Sequence, residues 1–221
     1  MENLTGVVPT LDKLATCMLG AAMIMVMCSR LVTLVYVYAF QSLLLAITAL
    51  IATFSLNSHH LIWMVFLIVA LKVVAIPLVL LEITATLTIK KEVEPYVEPR
   101  VSVLVASGLV ILAYYTERYI LQLHKGEVFT HCLATSIALI LIGFFLMISR
   151  KKAITQMVGL LTMENGVFLS AMTLTSGMPM IVELGISFDV LVGILIMGVF
   201  VFRIRETFAS LDTSKLNSLR G

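Results

Sequence analysis

Hydrophobic residues run through this chain in long unbroken blocks, without the period-two alternation of a half-buried strand or the polar stripe of a surface helix. Blocks of about 20 apolar residues are what an α-helix needs to cross a hydrocarbon layer ~30 Å thick. The pattern predicts seven spans, at 10–29, 31–54, 61–88, 101–121, 129–149, 154–175 and 181–204. Two connections exceed a tight turn: Ile89 to Arg100, rich in charge and carrying two prolines, and the tail from Arg205 to Gly221. Neither is long enough to fold as a domain.

The spans place an odd number of crossings between the ends, so the two termini are expected on opposite sides. Arg30, Lys90, Lys91, Arg100, Arg150, Lys151, Lys152, Arg203, Arg205, Lys215 and Arg220 share one side; Lys13, Arg118 and Lys125 lie on the other. The side rich in Lys and Arg is the cytoplasmic one by the positive-inside rule, so the C-terminus is expected inside and the N-terminus outside. The setting is a cytoplasmic (inner) membrane crossed many times. Composition agrees, with 60% hydrophobic and 13% charged residues and a mean hydropathy of +1.08. The N-terminus has Glu2 and Asp12 and no basic lead-in, so the first helix is expected to stay and not to be cleaved as a signal. A net charge of +2 sets topology and gives no reason to expect nucleic acid.

The halves of the chain are self-similar. Met27, Ser29 and Arg30 end span one as Met147, Ser149 and Arg150 end span five. Gln41 then occupies the place of Glu164, and Lys72 that of Asp189, at offsets of 120, 123 and 117 residues. Spans one to three and five to seven read as two copies of a three-helix unit. Span four lies between them, so the copies run the same way through the membrane. The expected architecture is all-α and integral to the membrane: about seven transmembrane helices, in two parallel three-helix repeats joined by a middle helix. Residues 1–100 hold the first repeat and a cytoplasmic loop, 101–128 the connecting helix, 129–204 the second repeat and 205–221 the tail.

Five ionisable residues interrupt the apolar blocks: Lys72, Glu82, Glu164, Glu183 and Asp189. A charge at the bilayer centre costs roughly 2.5–3.5 kcal/mol on insertion scales, so such groups pair inside a bundle or line a polar path. Shielding from water favours a carboxyl's protonated form, and a neighbouring ammonium favours the ionised one. Adjacent groups that respond to each other in this way are what a proton relay needs. Glu164 and Asp189 are candidates for the relay and Lys72 for the charge that modulates it; fixed polar links between helices are the plainer alternative. Glu183, about 9 Å along the helix from Asp189, reads as a helix-entry carboxylate or a path residue. Glu82, about 15 Å beyond Lys72, reads as a proton entry point or a partner of Lys90 or Lys91. Pro77 interrupts the helix that carries Lys72 and frees backbone carbonyls, for a hydrated path or for packing alone. Gly159, Gly166, Gly193 and Gly198 offer close helix approach. His59, His60, His124 and His131 fall in or beside outer loops. Cys17, Cys28 and Cys132 show neither a disulfide framework nor metal-ligand spacing. No GxGxxG, P-loop, CxxC or HExxH string occurs, so redox chemistry would belong to a partner.

With these residues the chain resembles a known family. The strings MENG at Met163 to Gly166, VELG at Val182 to Gly185 and LDTSKL at Leu211 to Leu216 are similar to component E of hydrogenase-4 and formate-hydrogenlyase-type membrane complexes. FQSLLL at Phe40 to Leu45 and ALKVVAIPL at Ala70 to Leu78 extend the resemblance over nearly the whole chain. It implies a non-catalytic membrane subunit of a group 4 nickel–iron hydrogenase assembly. The C-terminal part is similar to subunit K of respiratory complex I, whose acidic residues in the second and third helices correspond to Glu164 and Asp189. An aspartate in the third helix departs from that pattern and shortens the reach by one methylene. The resemblance further implies no cofactor in this chain, with a nickel–iron centre and iron–sulfur clusters in peripheral hydrogenase subunits. The implied neighbours are membrane lipid, antiporter-like membrane subunits, and the complex I-like membrane subunit that carries the hydrogenase module. The implied work is proton or sodium translocation coupled to the redox chemistry of those partners. A purely structural spacer and a stand-alone cation transporter are the rival readings.

Overall fold

Spans one to six fall on helices in the computed structural model, which describes residues 2–55, 61–86, 96–123, 130–175 and 193. Helix α1 runs Glu2–Met27, α2 Leu31–Ser55, α3 Leu61–Ile68, α4 Ile76–Thr86, α5 Pro99–Leu123, α6 Thr130–Ser149 and α7 Ala153–Thr175. A π-helical turn, Val69–Ala75, joins α3 to α4 without a break. There is no β-strand among the described residues, and the chain is an all-helical membrane protein. Pro9–Met27, Leu31–Phe54, Pro99–Ile120 and Cys132–Ser149 are each long and apolar enough to cross a bilayer. The predicted seventh span, with Glu183 and Asp189, lies outside the described residues apart from Gly193, as do the Ile89–Pro95 part of the long connection and the tail.

Two tight hairpins form the centre. Residues 28–30 turn α1 into α2, and residues 150–152 turn α6 into α7. Helices α1 and α6 pack side by side and run parallel. At one end the Cys132 Sγ lies 3.7 Å from Asp12 Oδ1; at the other, Arg150 Nη2 donates to the Val26 carbonyl at 2.7 Å. Helix α2 packs on α7 and on the π turn, while α5 lies against α1 and α6. The outer face of α5 exposes Leu104, Ile111 and Tyr115, as suits a helix bordered by lipid.

The tightest approach is between α6 and α7. A Cβ built on Gly143 would stand 2.5 Å from the Met163 backbone nitrogen, and one on Gly166 2.8 Å from that of Ile140. A Cβ on Gly159 would stand 2.8 Å from the Met147 nitrogen. Three glycines therefore let two backbones touch, which is how membrane helices gain van der Waals energy when no hydrophobic effect drives them together. Gly159 and Gly166 are where the sequence suggested close approach; Gly143, on the facing helix, is the third member.

Arg150 joins the hairpins. It is buried, and its bond to Val26 satisfies one of the carbonyls left open at the end of α1 while placing a cation at the negative end of that helix. Burial pulls its guanidinium below the usual arginine value, which is so high that the charge persists at neutral pH. Replacing Arg150 by alanine is expected to destabilise the chain by about 1–3 kcal/mol, through the lost charged hydrogen bond and the open carbonyl. Thermal unfolding of the purified protein in detergent checks this, with Arg150→Lys expected to fall between.

Candidate functional site: a buried ion pair at mid-helix

Glu164 stands at the midpoint of Ala153–Thr175, and Lys72 within two residues of the midpoint of the continuous helical stretch 61–86. Gln41 occupies the same level in α2, and Met18 in the apolar part of α1. These four residues therefore share one level of the bundle, near the middle of their helices.

At that depth Lys72 Nζ approaches Glu164 Oε1 to 3.0 Å, with the two side chains only 1% and 5% exposed. The ammonium also donates to Asn165 Oδ1 at 3.3 Å and lies 5.8 Å from the centre of the Phe168 ring. The Asn165 amide nitrogen donates to Gln41 Oε1 at 3.3 Å and to Ser42 Oγ at 3.2 Å. Gln41 in turn donates to the Met18 carbonyl at 3.2 Å. A connected polar network thus passes from α1 through α2 and α7 to the π turn. Its cost is offset because each polar group meets another inside the bundle, where the lower dielectric strengthens attraction between opposite charges.

The π turn explains how Lys72 reaches this position. Ile76 donates its N–H to Leu71 five residues back, which widens the helix by one residue per turn. Pro77 follows at once and has no N–H to give to the preceding turn, so the strict four-residue ladder cannot be kept there. Such bulges recur at functional sites because they re-aim one side chain without ending the helix.

Of the sequence-predicted candidates, Lys72 and Glu164 are brought together, although 92 positions separate them. Glu82 is not part of this group; it is exposed on the outward face of α4. Glu183 and Asp189 are outside the described residues, as are Lys90 and Lys91, the suggested partners of Glu82. Asn165 and Ser42 are the members that sequence reasoning misses. Asn165 stands out in the sequence only as part of the MENG string, yet it bonds to three side chains and fills its donor capacity. Its position next to Glu164 at mid-span is the available signal. Glu117, near the end of α5, is 3% exposed. Among the described residues no group of three His, Cys, Asp or Glu side chains converges as a metal site, and Cys17, Cys28 and Cys132 are all free thiols.

No family model matches the chain, and no solved structure matches it. Uncharacterized protein Rv0085 of Mycobacterium tuberculosis is 32% identical to it over 188 residues, a stretch that covers 85% of each chain. An identity of that size over nearly the full length of both chains reflects common descent: this chain belongs to the same protein family as Rv0085.

Proposed function

We propose that the chain is a non-catalytic membrane-arm subunit of a hydrogenase-4-like respiratory complex. In this reading it contributes buried protonatable groups to proton or sodium translocation, while partner subunits carry the nickel–iron and iron–sulfur chemistry. The observation that supports it most is the buried Lys72–Glu164 pair, held at 3.0 Å between a π turn and the middle of α7, a level expected to lie near the bilayer midplane. An ion pair is expensive there, and replacing it with apolar side chains is often neutral or stabilising. Its presence is easier to understand as working charge than as adhesive. The parallel packing of α1 on α6 and of α2 on α7 is the arrangement that two same-direction repeats would adopt. The membrane-arm assignment itself rests on the resemblance of the MENG, VELG and LDTSKL strings to hydrogenase-4 component E.

Glu164 is the proposed proton carrier in this half of the path, with Lys72 as the group that answers its charge. Asp189 and Glu183 are proposed to continue it, and Glu82 to lie where the path meets the interface. The spacer reading draws on a specific feature too: Asn165 is bonded to Lys72, Gln41 and Ser42 at once, as a fixed cross-link would be.

Membership in a complex is open to direct test. The tagged full chain, solubilised in mild detergent from its own membranes, is expected to co-purify with a nickel- and iron-containing assembly. Recovery as a single polypeptide, active as a cation transporter in proteoliposomes, would overturn the assignment.

A further inference from the structure

Away from the buried pair, five of the seven described cations collect at one end of the bundle, Lys13 and Arg118 lying at the other. The Arg150–Val26 bond draws the turn at 150–152 onto the turn at 28–30, which carries Arg30. The Tyr96 N–H donates to the Ser149 carbonyl at 2.8 Å, and Lys151 Nζ sits 5.1 Å from the centre of the Tyr96 ring. Arg100 follows in the first turn of α5. Arg30, Arg100, Arg150, Lys151 and Lys152 therefore share this end with two described carboxylates, Glu98 and, one turn before the end of α4, the exposed Glu82. Arg150 Nε is buried there with no hydrogen-bond acceptor.

The surroundings specify which kind of anion suits this end. Within the last two turns of α1 and α6, Ile24, Met27, Phe144 and Ile148 are each more than half exposed. These apolar side chains begin within about one or two helical turns, ~5–10 Å, of the cations. Tyr96, also exposed, is the residue type that settles at the headgroup level of a bilayer. A soluble anion would satisfy only the charges, and an apolar helix only the hydrocarbon surface. We propose that this end of the bundle binds an anionic phospholipid, its phosphodiester held by Arg30, Lys151 and Lys152 and its acyl chains laid along the exposed turns of α1 and α6. Arg150 is the buried cation behind the site, tied to the helix end and unable to follow the lipid if it leaves. The inference needs only a membrane protein and stands apart from the hydrogenase assignment.

The test uses the delipidated full chain in detergent with phosphatidylglycerol or phosphatidylcholine added in mixed micelles, bound lipid being counted by native mass spectrometry. Phosphatidylglycerol is expected to be retained roughly tenfold or more over phosphatidylcholine, at about one screened charge contact per cation. The combined change Arg30→Gln, Lys151→Gln, Lys152→Gln, which spares the structural Arg150, is expected to abolish that preference with helical content by circular dichroism unchanged. Should the triple variant fail to fold, salt serves on the wild type: the preference is expected to collapse as the Debye length shrinks to ~3 Å. Equal retention of the two lipids, an unaltered preference in the folded triple variant, or insensitivity to salt would overturn the proposal. Displacement of phosphatidylglycerol by equimolar inorganic phosphate would overturn it as well, by marking a soluble-anion site.

Discussion

Replacing Lys72 by methionine is expected to remove about 3–5 kcal/mol of stability, a large part of what holds a chain of this kind folded. The change leaves the Glu164 carboxylate buried in the bundle without the ammonium now 3.0 Å away, and deprives Asn165 of a donor. Methionine fills nearly the same volume, so packing loss adds little. The informative comparison is the double variant Lys72→Met with Glu164→Leu. Removing both charges also removes the desolvation cost of both, so the double variant is expected to be more stable than Lys72→Met alone. Thermal unfolding of the purified chain in detergent supplies the four corners of the cycle. A double variant that simply sums the two single losses would mean that the pair does not interact as the geometry requires.

The second large effect is expected at Gly143. A Cβ there would face the backbone nitrogen of Met163 and the carbonyl of Gly159, so even alanine would push rigid main chain and not a flexible side chain. Overpacking typically costs about 1–3 kcal/mol, and valine at this position is expected to reach or exceed the top of that range. Gly20 makes a suitable control, since nothing lies within 4 Å of its missing Cβ. Gly143→Val is expected to lower the unfolding temperature by several degrees or to prevent accumulation in the membrane, while Gly20→Ala is expected to be near neutral. Similar effects at the two positions would show that the α6–α7 contact is not the tight one.

Much of this is legible in the sequence alone. Lys72 and Glu164 announce themselves because a charge in an apolar run is costly and therefore rare. Span limits are readable for the same reason, and α2, α6 and α7 begin and end within one residue of the predicted bounds. Partnership is a different matter. Nothing in a one-dimensional pattern says that position 72 meets position 164, since the contact depends on how two hairpins dock. Asn165 and Ser42 go unnoticed because uncharged polar residues are common in membrane helices and cost little on their own. The π turn is hidden too: Pro77 signals a disturbed ladder, but whether the helix kinks or widens is decided by what its side chains find around them.

The central claim is that the buried pair carries charge and does not merely bind helices together. It is tested by ion pumping in inverted membrane vesicles holding the whole complex, with wild type compared to Glu164→Gln and to Lys72→Gln combined with Glu164→Gln. The double amide keeps hydrogen-bonding capacity at both positions but titrates at neither, so assembly and electron turnover can be checked as intact. Pumping per electron is expected to fall severalfold or vanish in both variants. Assembled, turning-over complexes that pump as wild type would contradict the account and leave Lys72, Glu164 and Asn165 as a cross-link.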